Sequence, residues 1–523
     1  MTLPHGNGVH GTYVNAQARH PVGGQKITLE PMPSRDINGD SANSYQLLAS
    51  HAPFIRFAWL NASQTFVLLS LLFGTLIIFA TPPLRGPDET AHFLRAYGLA
   101  LGDFVPVIPE GKTRKGIFLP PALREGFDYF ERIQVGEKSP DFSYWPVMSH
   151  WARAPASSVT ANSLPSFVPY AGSEGYSPAA YLPHTAAALV ANFLELGFLP
   201  TIYLMRLAGL AAMTAVLAYA IALTPQLKWA LFAIAMIPSA LYGRCVISAD
   251  SASVSYGMVI VALSLRALCS VDERPVRYSA FLTLCALSKP PNLALILLPL
   301  MHRRLRVLLK HWPLLALMIL PALAAAAAWT IVSSADVAAW RLAELTGKDT
   351  GEFDPASKLL MLIERPAHFL TALLGSLNPK DIAVLWRQLI GVLGLFDTVL
   401  QSWVYPTVSI LLTVTFFNRL EIDRLRRIRA VAIASITTLA YSLSVFLIFY
   451  LIWTPPDAAM IWGIQGRYFV PVLPLVAIIM SGAFDLRMGE TVRSVAALGV
   501  AVLSGSACLE AILRTDWRWA LGG

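Results

Sequence analysis

Seven stretches of this chain run almost without charge: 65–80, 203–223, 227–241, 248–268, 312–332, 431–453 and 495–509. A helix of about 20 apolar residues spans a hydrocarbon core of roughly 30 Å. Backbone groups left unpaired in lipid are so costly that only helices and closed barrels cross it. The runs lack the alternation of barrel strands, so the chain is expected to be an all-α polytopic membrane protein. Counting shorter runs, roughly ten to thirteen crossings are predicted. Composition agrees. Charged residues make up 14% of the 523 and hydrophobic ones 55%, whereas a soluble domain carries about 25% charge.

The net charge of +8 does not point to nucleic acid. The basic residues sit in short joints, Arg303, Arg304, Arg306 and Lys310, then Arg419, Arg424, Arg426, Arg427 and Arg429. Positive-inside bias accounts for both groups. The four cysteines, Cys245, Cys269, Cys285 and Cys508, lie in or beside apolar runs, where a thiol acts as a small hydrophobe. Residues 1–63 are polar and read as a disordered cytoplasmic tail, with 54–60 as a short interfacial segment. The transmembrane domain is expected over 64–512, with a short tail at 513–523.

Two long polar stretches, 84–177 and 334–382, read as outer loops. The first is rich in aromatics such as Phe118, Phe127, Phe130 and Trp151, which suits short interfacial helices. A span is expected at 180–197. The run 278–300 is expected to break near Lys289, because Pro290 and Pro291 cannot continue a helix. The stretch 383–417 is either one span with a surface helix before it or two short ones. With the basic joints in the cytoplasm, simple counting puts Asp250 on the cytoplasmic side. One incomplete span, with Pro225 and Pro238 as candidates, moves it outside.

Three charged clusters interrupt the apolar pattern. The first follows the first span: Asp88, Glu89, His92 and Arg95, which fall on neighbouring turns if Asp88 opens a helix. A carboxylate there can act as general base. Asp88, Glu89 and His92 are also a candidate ligand set for a divalent cation such as Mg or Mn, and Arg95 can fork onto phosphate. The plain alternative is a capped helix with surface ion pairs. The second cluster is Gln465, Arg467 and Tyr468 at the entrance of a late span: a phosphate clamp or an interfacial anchor with a snorkelling arginine. The third is Lys289, a charge inside an apolar run, which faces a cavity or partner or snorkels to an interface. Asp250, among Ser248, Ser251, Ser253 and Ser255, is a helix cap or a second anionic ligand. His184 is read as packing against a neighbouring helix. No Gly-rich phosphate loop or dinucleotide fingerprint is present.

Taken together, Pro82, Pro83, Pro87, Asp88, Glu89, Ala91, His92, Arg95 and Ala96, then Ser288, Lys289, Pro290 and Pro291, then Gln465, Gly466, Arg467, Tyr468 and Pro471 resemble the bacterial polytopic family called domain of unknown function 2142. That family is in turn similar to the C-type glycosyltransferase superfamily. The resemblance implies a bundle with a long first extracytoplasmic loop, in the bacterial inner membrane. It implies an inverting glycosyltransferase that moves a sugar from a polyprenyl-phosphate-linked donor to an envelope glycan or lipid. Asp88 or Glu89 would be the base or metal ligand. Arg467, Lys289 and Arg95 would hold the phosphate, and Asp250 matches an acidic residue after an early hairpin. Membrane lipids are expected partners. A transporter or flippase of lipid-linked glycans is the competing expectation.

Overall fold

The computed structural model describes residues 61–136, 142–153, 164–270, 274–333, 336–347, 354–455 and 458–518. The expected tail at 1–63 and the segment 54–60 fall almost wholly outside them.

Helices dominate, as the apolar runs require. Among the described residues, seven helices are long and apolar enough to cross a membrane: Ala62–Ala80, Phe198–Leu223, Ala249–Cys269, Trp312–Val332, Arg424–Trp453, Gly466–Ala483 and Glu490–Asp516. Four further passages between the two ends are made by shorter pieces. Lys228–Met236 and Pro238–Cys245 form one passage broken at Pro238. Pro275–Ser288 and the 3₁₀ segment Pro290–Met301 form a hairpin. Val404–Phe416 is the last. The chain is an all-α polytopic membrane protein.

One end gathers the basic joints. Arg429 donates to the His302 carbonyl at 2.7 Å, Arg427 pairs with Asp485 at 2.8 Å, and the Glu421 amide donates to Gln226 at 3.0 Å. The opposite end gathers the acidic and aromatic loops. There Arg85 pairs with Asp397 at 2.6 Å and Asp516 at 2.8 Å, and the Trp329 indole donates to Gly175 at 2.9 Å. Asp516 belongs to the last helix, which continues past 513, so the expected tail is in part a structural anchor.

One expectation needs correction, and two are sharpened. Asp250 lies at the acidic end, because the incomplete span is Leu182–Phe193 rather than a segment near Pro225 or Pro238. That helix has only 12 residues. His184 lies close to Gly209, and Asn192 accepts from Tyr97 at 3.1 Å, so it flanks only one half of Phe198–Leu223. The run 278–300 breaks at Lys289 as expected, and the break is a full reversal of the chain. Asn292 secures that reversal with its amide, donating to Ser253, the Cys285 carbonyl and Ser288 at 2.8–3.0 Å. The stretch 383–417 takes the first of its two expected arrangements: helix Pro379–Gly391, a two-residue strand pair, and then one passage, Val404–Phe416.

The first polar loop has its own core. Phe93, Phe127 and Phe130 pack around Phe198 and are buried. A strand pair, Gly116–Leu119 with Ser166–Pro169, closes it. The aromatics expected at the lipid surface thus serve largely as a folded lid's interior. Helix Pro366–Gly375, at ten residues, is too short to span. All four cysteines are free.

Candidate functional site

Four segments distant in sequence bring charged groups together at the acidic end. Asp88 precedes helix Glu89–Ala100 with φ 54°, a left-handed conformation that aspartate tolerates better than most residues. That turn faces its carboxylate and that of Glu89 in different directions. Asp88 remains about half exposed and accepts from Arg467 Nη2 at 2.6 Å. Arg467 Nε lies 2.7 Å from Gln465 Oε1 and 3.4 Å from Asp250 Oδ2. The other oxygen of Asp250 takes the ammonium of Lys289. The chain Asp88–Arg467–Asp250–Lys289 is therefore continuous.

Local sequence explains each placement. Ser248 caps helix Ala249–Cys269 by accepting from the Asp250 amide at 3.0 Å, which fixes Asp250 in the first turn. Lys289 sits where Pro290 forces the helix to stop. Gly466 allows close approach: a Cβ there would meet the Leu385 carbonyl at 1.9 Å. Its amide donates to Gln388 at 2.9 Å. Pro471 weakens the 3₁₀ turn behind Arg467, and the Tyr441 hydroxyl donates to the Tyr468 carbonyl at 3.0 Å.

Aromatic rings wall the cluster. Arg467 lies 5.0 Å from the Phe396 ring and 5.4 Å from Tyr468, and Lys289 lies 4.6 Å from Tyr468 and 5.8 Å from Tyr176. Cation–π contacts of this kind hold a guanidinium or ammonium without neutralising it. Phe396, in a left-handed conformation at φ 66°, escaped sequence reasoning because no local signal marks that strain. A narrow cleft of about 550 Å³, open solvent included, runs from Asp250 and Arg467 past Pro87, Ser251 and Ser255. Ser255 Oγ is buried there without a hydrogen-bond partner.

Electrostatics favour an ionised Asp88. Burial alone would raise its pKa, but the guanidinium of Arg467 and the neighbouring His92 outweigh this and hold it below the usual carboxylate value. Burial pushes the His92 imidazole down to about 4 despite Asp88 and Asp250 nearby. His92 is thus neutral near pH 7, with Nδ1 2.6 Å from the Tyr181 hydroxyl.

Glu89 is elsewhere. It is fully buried, and four donors surround its two oxygens. Arg206 Nε and Nη2 bind at 2.8 and 2.6 Å, and the amides of Gly86 and Ile247 at 2.9 and 3.0 Å. Arg206 also caps the end of the first span by donating to the Thr81 and Pro82 carbonyls. The catalytic reading of Glu89 therefore lacks geometry, since no oxygen faces the cleft. The trio Asp88, Glu89 and His92 does not form a ligand set, and among the described residues no group of three metal-ligating side chains does. Arg95 is buried and donates to the carbonyls of Tyr176, Asp103 and Phe104 at 2.7–3.1 Å. It pins the loop rather than facing a phosphate. Arg206 was missed by the sequence reading, although a lone charge within an apolar run is a sufficient signal.

No curated protein and no solved structure matches the chain. A family model does, over residues 71–476. That stretch takes in Asp88, Asp250, Lys289 and Arg467, the four charges that the fold assembles. The chain accordingly belongs to the DUF2142 family of predicted membrane proteins.

Proposed function

We propose that the protein is a membrane glycosyltransferase using a polyprenyl-phosphate-linked sugar, with its site at the extracytoplasmic edge of the bacterial inner membrane. One observation carries this reading: an ionised, half-exposed carboxylate, Asp88, lies within a hydrogen bond of a cation, Arg467, that lines a cleft and lies beside the Phe396 and Tyr468 rings. Transfer to a hydroxyl needs those two functions side by side. A base must take the acceptor's proton, and fixed positive charge must meet the departing phosphate.

Asp88 accepts the proton of the acceptor hydroxyl. The freed oxygen attacks the anomeric carbon from the face opposite the phosphate, so the configuration inverts. The bond from that carbon to the phosphate oxygen breaks, and the lipid phosphate leaves with the bonding electrons. Arg467 and Lys289 compensate its charge. Asp250 is a positioning residue: it binds both cations and sets their spacing. Gln465 orients Arg467, and Tyr468 stacks against both cations. His92 supports the wall from behind, and the acceptor is an envelope glycan or lipid.

The test is transfer of labelled sugar from a polyprenyl-phosphate donor by purified protein in liposomes. Asp88→Asn should retain donor binding and lose transfer by about 10²–10⁴-fold, the range for a lost general base. Full activity in that variant would end the assignment. Transbilayer movement of the intact donor without transfer would favour a flippase instead.

A further inference from the structure

We propose a second ligand site at the opposite end of the molecule, a recess that binds the headgroup of an anionic phospholipid. It is separate from the acidic-end cluster and does not rest on the transferase reading.

The recess encloses about 950 Å³, open solvent included. Its four guanidinium groups come from three places in the sequence. Arg303 follows the Pro290–Met301 segment, Arg419 and Arg426 flank the joint before the Arg424–Trp453 helix, and Arg487 precedes the last helix. Only two carboxylates, Glu421 and Asp423, line it with them. With Asp485, which pairs with Arg419 and Arg427 at the edge of the recess, five arginines face three carboxylates, an excess of two positive charges. The arginines also differ in how far they are committed. Arg487 pairs with Glu421 at 2.9 Å, Arg426 with Asp423, and Arg419 with Asp485 at 3.3 Å. Arg303 is exposed, and among the described residues no carboxylate lies within ion-pair distance of it.

Spreading basic residues over a cytoplasmic face would satisfy positive-inside bias, but that bias does not require them to converge on a recess between helix ends. Such basic recesses suit phospholipid headgroups, and a guanidinium fork matches phosphate oxygens. The surroundings favour a lipid over a soluble anion. Leu425, Ile428, Phe484 and Leu486 are exposed at this same end, where acyl chains would descend from a bound headgroup. An excess of two charges fits one doubly charged headgroup, such as cardiolipin, or two singly charged ones.

The experiment uses the full chain in mild detergent and follows thermal unfolding with added cardiolipin, phosphatidylglycerol, phosphatidylcholine or inorganic phosphate. Cardiolipin and phosphatidylglycerol should raise the melting temperature above that in phosphatidylcholine. Arg303→Gln should remove at least half of the shift, and R303Q with R487Q should remove it all. The bound anionic lipid per protein, measured by native mass spectrometry, should fall in parallel. An equal shift with phosphatidylcholine would overturn the proposal, as would a full shift in Arg303→Gln. A full shift from inorganic phosphate alone would replace the lipid with a soluble anion. Arg303 carries no ion pair, so its variant should fold even if the double variant does not.

Discussion

Asp88 and Glu89 are chemically similar neighbours, yet the fold gives them opposite tasks. Glu89 is sealed beneath the loop, held by Arg206 and two backbone amides. Asp88 stands half open, with Arg467 as its ion-pair partner. One residue of left-handed backbone at Asp88 separates the two environments. A saturated carboxylate in a buried pair has no lone pair left for chemistry. Removing its partner leaves an uncompensated charge. An open carboxylate contributes little to stability but can still accept a proton. The difference teaches that burial and saturation, more than residue type, sort structural from chemical charges.

The comparison breaks most visibly on the sealed side. Glu89→Ala or Arg206→Ala should cost about 3–5 kcal/mol, the range for breaking a buried ion pair, and should sharply reduce protein recovered from membranes. Replacing both with methionine should cost less than either alone, because no orphan charge remains. Thermal unfolding of the variants in detergent checks both statements. By contrast Asp88→Asn, which should lose transfer under the proposed function, should change stability by less than about 1 kcal/mol, as expected for a partly exposed pair. If Asp88→Asn unfolds the protein and Glu89→Ala does not, the roles are reversed.

Much of the open cluster was legible in the sequence, because charges in apolar surroundings attract notice. Lys289 beside a double proline, Arg467 at the head of an apolar run and Asp88 after the first span all stood out. Their meeting was implied by the family resemblance and not by periodicity. It depends on the chain reversing at Lys289 and on Leu182–Phe193 failing to cross, and both are tertiary outcomes. Periodicity does not distinguish a 12-residue apolar helix beside a neighbour from a short span. The sealed side was less legible. Arg206 stands out as a charge in a long apolar run, but nothing local names Glu89 as its partner, and the partners of Arg85 lie 312 and 431 positions away. The lid's strand pair had no strong alternation to announce it.

The open pair can be sharpened through pH. Asp88 has a pKa held below the usual carboxylate value, chiefly by Arg467 working against burial. Transfer should therefore persist into acid, until pH falls through that lowered value and the base is protonated. In Arg467→Gln, burial acts unopposed by the guanidinium, so the acid limb of residual activity should move to higher pH. Any contribution of the pair to stability has the same sign: it is present above the ordinary carboxylate pKa and lost as pH falls through the lowered one. A limb that stays in place would show that the titrating base is not Asp88.

The smallest effect belongs to the histidine beside the open carboxylate. His92 is neutral, buried, and bonded to Tyr181, with its pKa pushed down from 6.5 to about 4. Between those values the unfolded chain binds a proton that the folded chain does not, so stability must rise with pH across that window. Full stability from this group is present above the ordinary histidine value and declines as pH falls toward 4. His92→Gln removes the titration while keeping a side chain able to bond the tyrosine. Its melting temperature should lie below that of the parent near pH 7, and the gap should narrow steadily as pH approaches 4. A gap independent of pH would mean that the histidine titrates alike in the folded and unfolded chains, and below its ordinary value the pocket would then hold a third cation beside Arg467 and Lys289.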